Sequence, residues 1–171
     1  MNVIEYCTEE VRRQGHDITL LDGIQRVGWM LDGWTYALVN VSDRMPDLGD
    51  AISLGMLVEV KKNVNGLRNC DIRVGDCICP RPDELRRLLN RLFDLRDSMT
   101  PIEFYKEFEM IHPFVDGNGR TGKILFNWLN RTLFDPIFPP NDLFGYVVAK
   151  LPDGQRVAAE LPTAVKKEKS E

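Results

Sequence analysis

The sequence predicts a mostly α-helical fold, a helical bundle carrying one short β-hairpin. Three observations lead there. Apolar residues recur at helical spacing in most segments, as at Leu85, Leu88, Leu89, Leu92 and Phe93. Helix-start signals precede these stripes: Pro82-Asp-Glu before one, and the capping-box pattern Thr100-Pro-Ile-Glu103 before the next. Residues 68–79 instead alternate loosely through Ile72, Val74 and Ile78, with Gly75-Asp76 placed to turn a hairpin.

Taken in order, Leu20 to Val41 carries Ile24, Val27, Trp29, Met30, Leu31, Tyr36, Leu38 and Val39 at helical spacing. It reads as one long or broken helix, since glycines at 23, 28 and 33 weaken it. Asp43-Arg-Met-Pro46 reads as a loop, and Asp47 to Lys62 as a helix stopped by Asn63 to Gly66. After the hairpin and the Pro82 helix, Phe104, Phe108 and Ile111 form one face leading into His112. A further helix carries Ile124, Leu125, Trp128, Leu129 and Leu133, and Phe134-Asp-Pro-Ile-Phe-Pro-Pro140 breaks it. Trp29, Trp34, Trp128 and Phe114 read as core anchors, and Arg12, Arg13, Arg86, Arg87 and Arg91 as solvated helix faces. His16 has no partner nearby in sequence. Lys166 to Glu171 is charged and frayed, so residues 160–171 are expected to be a disordered tail.

The 171 residues are 43% hydrophobic and 28% charged, as expected of one globular domain spanning 1–171. No internal repeat or linker divides it. The net charge is −4 without a basic block, which argues against a general nucleic-acid partner. The four cysteines show no Cys-x-x-Cys pairing and read as free thiols. No leader-like or membrane-length apolar run is visible, so no membrane association is expected. The expected location is the cytoplasm where the chain is made, with delivery into another cell left open.

The stretch His112-Pro-Phe-Val-Asp-Gly-Asn-Gly-Arg-Thr-Gly-Lys123 concentrates the chemistry. Gly117-Asn118-Gly119 can turn successive N–H groups toward one point. Because a helix follows, those groups and the positive dipole end suit phosphate oxygens. Arg120, in the first turn, has the fork to grip phosphate, and Lys123, one turn on, offers a second cation. Basic residues in a first turn oppose the dipole and call for an anion. Asp116 supplies a hard oxygen ligand, and Mg²⁺ characteristically binds through one or two carboxylates plus substrate phosphates. His112 is the group nearby that exchanges a proton near neutral pH. Singly, each residue has an ordinary use as a turn, a cap or a surface charge. Together at this spacing they favour a nucleoside triphosphate site.

The run resembles the signature of Fic-domain proteins, His-Pro-Phe-x-Asp/Glu-Gly-Asn-Gly-Arg-x-x-Arg. It matches at His112, Pro113, Phe114, Asp116, Gly117, Asn118, Gly119 and Arg120, and departs at Lys123, where the family has Arg. Phe108 to His112 resembles the family's helix entering the motif, and Pro80-Arg-Pro82 its proline-marked helix start. Asn65 to Cys79 is similar to its target-binding flap, with Ile72 and Val74 as the flap residues. The likeness spans about residues 20–145.

The resemblance implies transfer of AMP from ATP, with Mg²⁺, to a Ser, Thr or Tyr hydroxyl of a protein, with release of pyrophosphate. His112 would be the base, Asp116 the metal ligand, and Gly117, Asn118, Gly119, Arg120 and Lys123 the nucleotide-binding residues. The partner implied is a protein substrate presented as an extended segment along the flap. A Doc-like kinase, transfer of another nucleotide or phosphate-linked group, and a non-catalytic binding module stay as alternatives. Gly117 and Gly119 favour AMP transfer over the kinase. Many family members carry an inhibitory helix of pattern Ser/Thr-x-x-x-Glu-Gly/Asn whose Glu pairs with the second motif Arg. No Glu here is followed by Gly or Asn, and that Arg is Lys123. The expectation is therefore a chain without built-in inhibition of that kind, active alone or restrained by a separate, antitoxin-like protein.

Overall fold

A computed structural model describes residues 1–41, 44–75 and 77–140. Its helices are α1 (Val3–Arg13), α2 (Leu21–Asn40), α3 (Leu48–Val58), α4 (Leu85–Leu95), α5 (Pro101–Ile111) and α6 (Asn118–Leu129). Between α3 and α4, β1 (Arg73–Val74) pairs antiparallel with β2 (Cys77–Ile78), Arg73 opposite Ile78 and Val74 opposite Cys77. Short 3-10 turns, Pro82–Glu84 and Arg96–Ser98, flank α4.

The centre of the bundle is α6. Ten of its twelve residues are buried, because α5, α3 and α2 all pack on it. Its apolar stripe fills the core, and its buried Asn118, Arg120 and Asn127 are met by hydrogen bonds. Trp34, Leu54, Leu88, Phe108, Phe114, Ile124 and Trp128 form the core with Tyr6, Cys7 and Val11 of α1. The core therefore begins well before residue 20. The two buried indoles have their N–H groups satisfied, Trp34 by the Leu133 carbonyl at 3.0 Å and Trp128 by that of Arg44 at 3.1 Å. Trp29 departs from expectation: it is half-buried outside this cluster, with the Lys61 ammonium 5.2 Å from its ring centroid.

Local signals set most boundaries. Thr100 caps α5 by accepting from Glu103 N–H, while the Glu103 side chain accepts from Thr100 N–H, and Pro101 takes the first helical position. α2 is one helix despite its three glycines. α3 is shorter than its apolar pattern predicts, ending at Val58 instead of continuing to Lys62. Glu59 leaves helical geometry because its buried carboxylate bridges Arg26 and Arg120. Asn63 then donates its amide to the Gly55 carbonyl at 2.8 Å, meeting an acceptor that a longer helix would have paired internally.

No helix among the described residues is long and apolar enough to cross a membrane. Among the described residues Cys7 and Cys70 are free thiols. The expected tail at 160–171, the charged end from Lys166, the limit of the likeness near 145 and Asp76 of the turn lie outside the described residues.

Candidate active site

The site forms where α5 ends and α6 begins. His112 caps α5 in the left-handed region at φ 50°, with its N–H on the Phe108 carbonyl at 3.0 Å. Five residues later Gly117, at φ 76°, caps α6 in the same region, where any Cβ is strained and would also meet Val58 and Glu59. Two left-handed residues thus fold the intervening loop back onto the start of α6. Phe114 anchors that loop: its ring packs so closely on Gly55 of α3 that a Cβ there would lie 2.2 Å from it. Asn118 locks it, accepting from Phe114 N–H at 2.8 Å and donating to the Phe114 carbonyl at 2.9 Å. Asn118 thereby orients the loop with its amide; both ends of that amide face the loop.

An open cavity of about 340 Å³ lies over this start, bordered by His112, Asp116, Gly117, Asn118, Gly119 and Lys123, with Gln14, Tyr105 and Glu109. The first-turn N–H groups of α6 open onto it, as helix N-termini leave them without internal acceptors. The His112 Nδ1 lies 3.1 Å from the Glu109 carbonyl, a contact that places the proton on Nδ1 and leaves Nε2 as an acceptor. Burial pushes the imidazole below its ordinary value, Arg68 acts in the same sense, and the Glu109 carbonyl and Asp116 oppose them. His112 is thus neutral at physiological pH, with Nε2 open to accept a proton.

Asp116 is held as a carboxylate. Burial acts to raise its pKa, but Lys62 at 2.5 Å, the Gly117 N–H at 2.6 Å and Arg120 outweigh it and bring it below the usual value. No group of three or more His, Cys, Asp or Glu among the described residues could hold a metal alone. A metal here would rest on Asp116 and the ligand's own phosphates, the manner in which Mg²⁺ binds. Lys62 is half exposed and free to swing aside from the Asp116 oxygen that it holds.

Arg120 is placed differently from what its position suggests. It is fully buried and points toward α3, donating to the Val58 carbonyl at 2.6 Å and to Glu59 at 3.1 Å, with Asp116 at 3.5 Å. Glu59 also takes Arg26 at 2.7 Å. This Arg26–Glu59–Arg120 network braces the loop from behind through Asp116, and of these four residues Asp116 alone borders the cavity.

Lys123 does border the cavity, but its ammonium is engaged. Glu10 of α1, fully buried, accepts from it at 2.6 Å, and Gln14 donates to the same Glu10 oxygen at 2.7 Å. The pattern expected of an inhibitory helix is absent, yet α1 does carry a carboxylate onto the second motif cation. Beside this pair Glu109 is buried with its Oε1 unpartnered. Burial raises its pKa to about 8, with Lys123 lowering it and Glu10 raising it. Glu10, Gln14, Arg26, Glu59, Lys62, Arg68 and Glu109 all serve this region without a local motif. The Asn2-x-x-Glu5 capping box of α1 was a readable sign that a helix begins there. The hairpin residues Ile72 and Val74 are both half-buried, outside the cavity lining.

Comparison with known proteins finds relatives both in sequence and in fold. The protein adenylyltransferase Fic of Nematostella vectensis is 29% identical over 126 residues, 63% of this chain and 29% of the relative. That of Culex quinquefasciatus is 29% identical over 115 residues, 57% of this chain and 23% of the relative. The chain therefore spans under a third of these curated relatives. Among solved structures, Fic-1 from C. elegans superposes with TM-score 0.61 at 20% identity, covering 83% of this chain and 47% of that one. IbpAFic2 in complex with adenylylated Cdc42 gives 0.64 at 14%, covering 94% and 58%. Residues 45–130, just over half of the chain, match the Fic/DOC family model, and they contain the loop, its anchor and the helix that it caps. The chain belongs to the Fic/DOC family.

Proposed function

We propose that the chain transfers AMP from ATP to a hydroxyl of a target protein and releases pyrophosphate. One observation carries this reading: a neutral imidazole, its Nδ1 committed to the Glu109 carbonyl, faces the same cavity as a helix N-terminus shaped for phosphate. The Nε2 of His112 takes the proton as the hydroxyl oxygen attacks the α-phosphorus. The α–β phosphoanhydride bond breaks and its electrons leave on pyrophosphate. The N–H groups at the start of α6 receive charge from the phosphates. Asp116 would hold Mg²⁺, which when bound neutralises the departing pyrophosphate. Positioning and electrostatics suffice, and no covalent enzyme intermediate is needed.

Arg120 enters this scheme by holding Glu59 and Asp116, and Lys123 can reach a phosphate only once Glu10 releases it. The target would lie along β1 and β2 as an added strand, bringing its hydroxyl to His112. The names of the curated relatives and the adenylylated partner of IbpAFic2 support the reading.

The test is incubation with Mg²⁺ and ATP labelled in parallel at the α- and at the γ-phosphorus in a cell lysate, followed by intact mass of each labelled protein. An AMP adduct made by wild type and lost in His112→Ala, with ATP binding retained, is the expected result. A phosphate adduct would transfer the chain to the kinase branch. No adduct with bound ATP would leave a binding module.

A further inference from the structure

Arg68 is a buried guanidinium between α3 and the hairpin. Burying such a group is costly unless its donors are met. Its Nε donates to the His112 carbonyl at 2.7 Å. One terminal nitrogen donates to the Cys70 carbonyl at 2.8 Å, the other to the Pro80 carbonyl at 2.7 Å and more weakly to that of Ile111 at 3.4 Å. Its own N–H donates to the Pro113 carbonyl at 2.9 Å.

These acceptors are not a random set. Cys70 and Pro80 are where the two legs of the hairpin leave and return, since Ile72 and Cys79 between them already pair, at 3.1 Å. Ile111 and His112 end α5, where helix carbonyls lack internal partners. His112 is there in a left-handed conformation that a non-glycine residue holds only when its surroundings fix it. One rigid planar fork therefore fastens both hairpin legs to the backbone of the base. Lys cannot span four carbonyls from a single nitrogen.

We propose that Arg68 is a positioning residue that couples the hairpin to His112, holding an added target strand and the base in one register. This rests on the transfer reading above. Arg68 does not border the cavity, so its task concerns the protein target and not the nucleotide.

The test uses the full chain with Arg68→Gln and Arg68→Lys, and reads ATP affinity, target kinetics and the proton NMR titration of the imidazoles. The chain has two histidines, so His112→Ala assigns the signals and His16 serves as the internal reference. The charged groups acting on His112 are Arg68, which holds its titration down, and Asp116, which holds it up. In Arg68→Gln the His112 midpoint should rise while that of His16 stays. Target kcat/KM should fall on the order of 10²-fold with ATP affinity unchanged. In Arg68→Lys the midpoint should return toward wild type while target kcat/KM stays low, separating charge from span. Full target kcat/KM in Arg68→Lys would overturn the coupling, as would a folded Arg68→Gln with an unmoved His112 midpoint. If Arg68→Gln fails to fold, the Lys variant decides. If wild type modifies no target, the transfer reading falls. Amide exchange of the Cys79 N–H then decides the coupling: it should be faster in Arg68→Lys, and an unchanged rate sinks the proposal.

Discussion

Glu10→Gln should tighten ATP binding. Glu10 is fully buried and its Oε1 lies 2.6 Å from the Lys123 ammonium, so the cation bordering the cavity is committed within the chain. Gln has nearly the same shape and can keep a neutral contact with Gln14, but it carries no charge to hold Lys123. A freed ammonium-to-phosphate contact contributes about 1.5–3 kcal/mol, since one partner is ionised. That corresponds to roughly 10- to 100-fold in Kd. Glu109 needs attention, because losing the Glu10 charge removes one of the groups that raise its pKa and leaves Lys123 to lower it. Above neutrality Glu109 could ionise and recapture Lys123, so the measurement belongs at pH 7 or below. Titration calorimetry of wild type and Glu10→Gln with ATP and with AMP is the assay. On the proposed reading the start of α6 takes the first phosphate and Lys123, one turn on, a later one, so the gain should appear with ATP and vanish with AMP. Equal ATP affinity in a folded variant, or an equal gain with both nucleotides, would refute the restraint by α1.

Other outcomes follow from the same geometry. Gly55→Ala should cost about 1–3 kcal/mol, read as a lower urea midpoint at unchanged slope, because the new Cβ falls 2.2–2.6 Å from three Phe114 ring atoms. Arg120→Ala should lose about 3–5 kcal/mol of stability by chemical denaturation, since it strips a buried guanidinium from Glu59 and the Val58 carbonyl; a purely phosphate-binding arginine would lose ATP affinity and little stability. Transfer kcat/KM should fall on acidification with a midpoint below about 6.5, because burial depresses His112. The folded state then binds fewer protons at this site than the unfolded one, so its contribution to stability is also lost as pH falls through that window. Glu109 has the opposite sign: raised from 4.5 to about 8, it binds more protons folded than unfolded between those values, so stability declines as pH rises across them. Glu109→Gln should flatten that decline in a series of thermal melts.

The parts of this fold that were legible in the sequence are those fixed by neighbours. Thr100, Pro101 and Glu103 start α5 through contacts within one turn, and the motif's own residues turn the chain from α5 into α6. α3 was overread because Val60 continues its apolar pattern, while the reason that it stops lies elsewhere: Glu59 answers Arg26 of α2 and Arg120 of α6. Glu10 and Gln14 were invisible as site residues because the contact with Lys123 joins positions 113 residues apart. No local pattern announces such a pairing.

Arg120 is a different case, for the sequence held the answer to where its side chain lies. Its place in the first turn of α6 says that it lies near the cavity end of the helix, not which side of the helix it takes. At 3.6 residues per turn, positions four apart share a face and adjacent ones diverge by about 100°. Gly119 and Lys123 are four apart and both border the cavity. Arg120, Ile124 and Trp128 are also four apart; Ile124 belongs to the helix's apolar run and Trp128 reads as a core anchor. Arg120 had to join them, and it does, fully buried. A guanidinium on a core stripe requires an acidic partner, and Glu59, buried beyond the end of α3, is that partner. The motif thus divides its two cations by helical phase: Arg120 holds the loop from inside while Lys123 faces the cavity. The side facing the cavity is also the one that α1 reaches, and there Glu10 occupies Lys123 without touching the contacts by which Arg120 and Asn118 hold the loop.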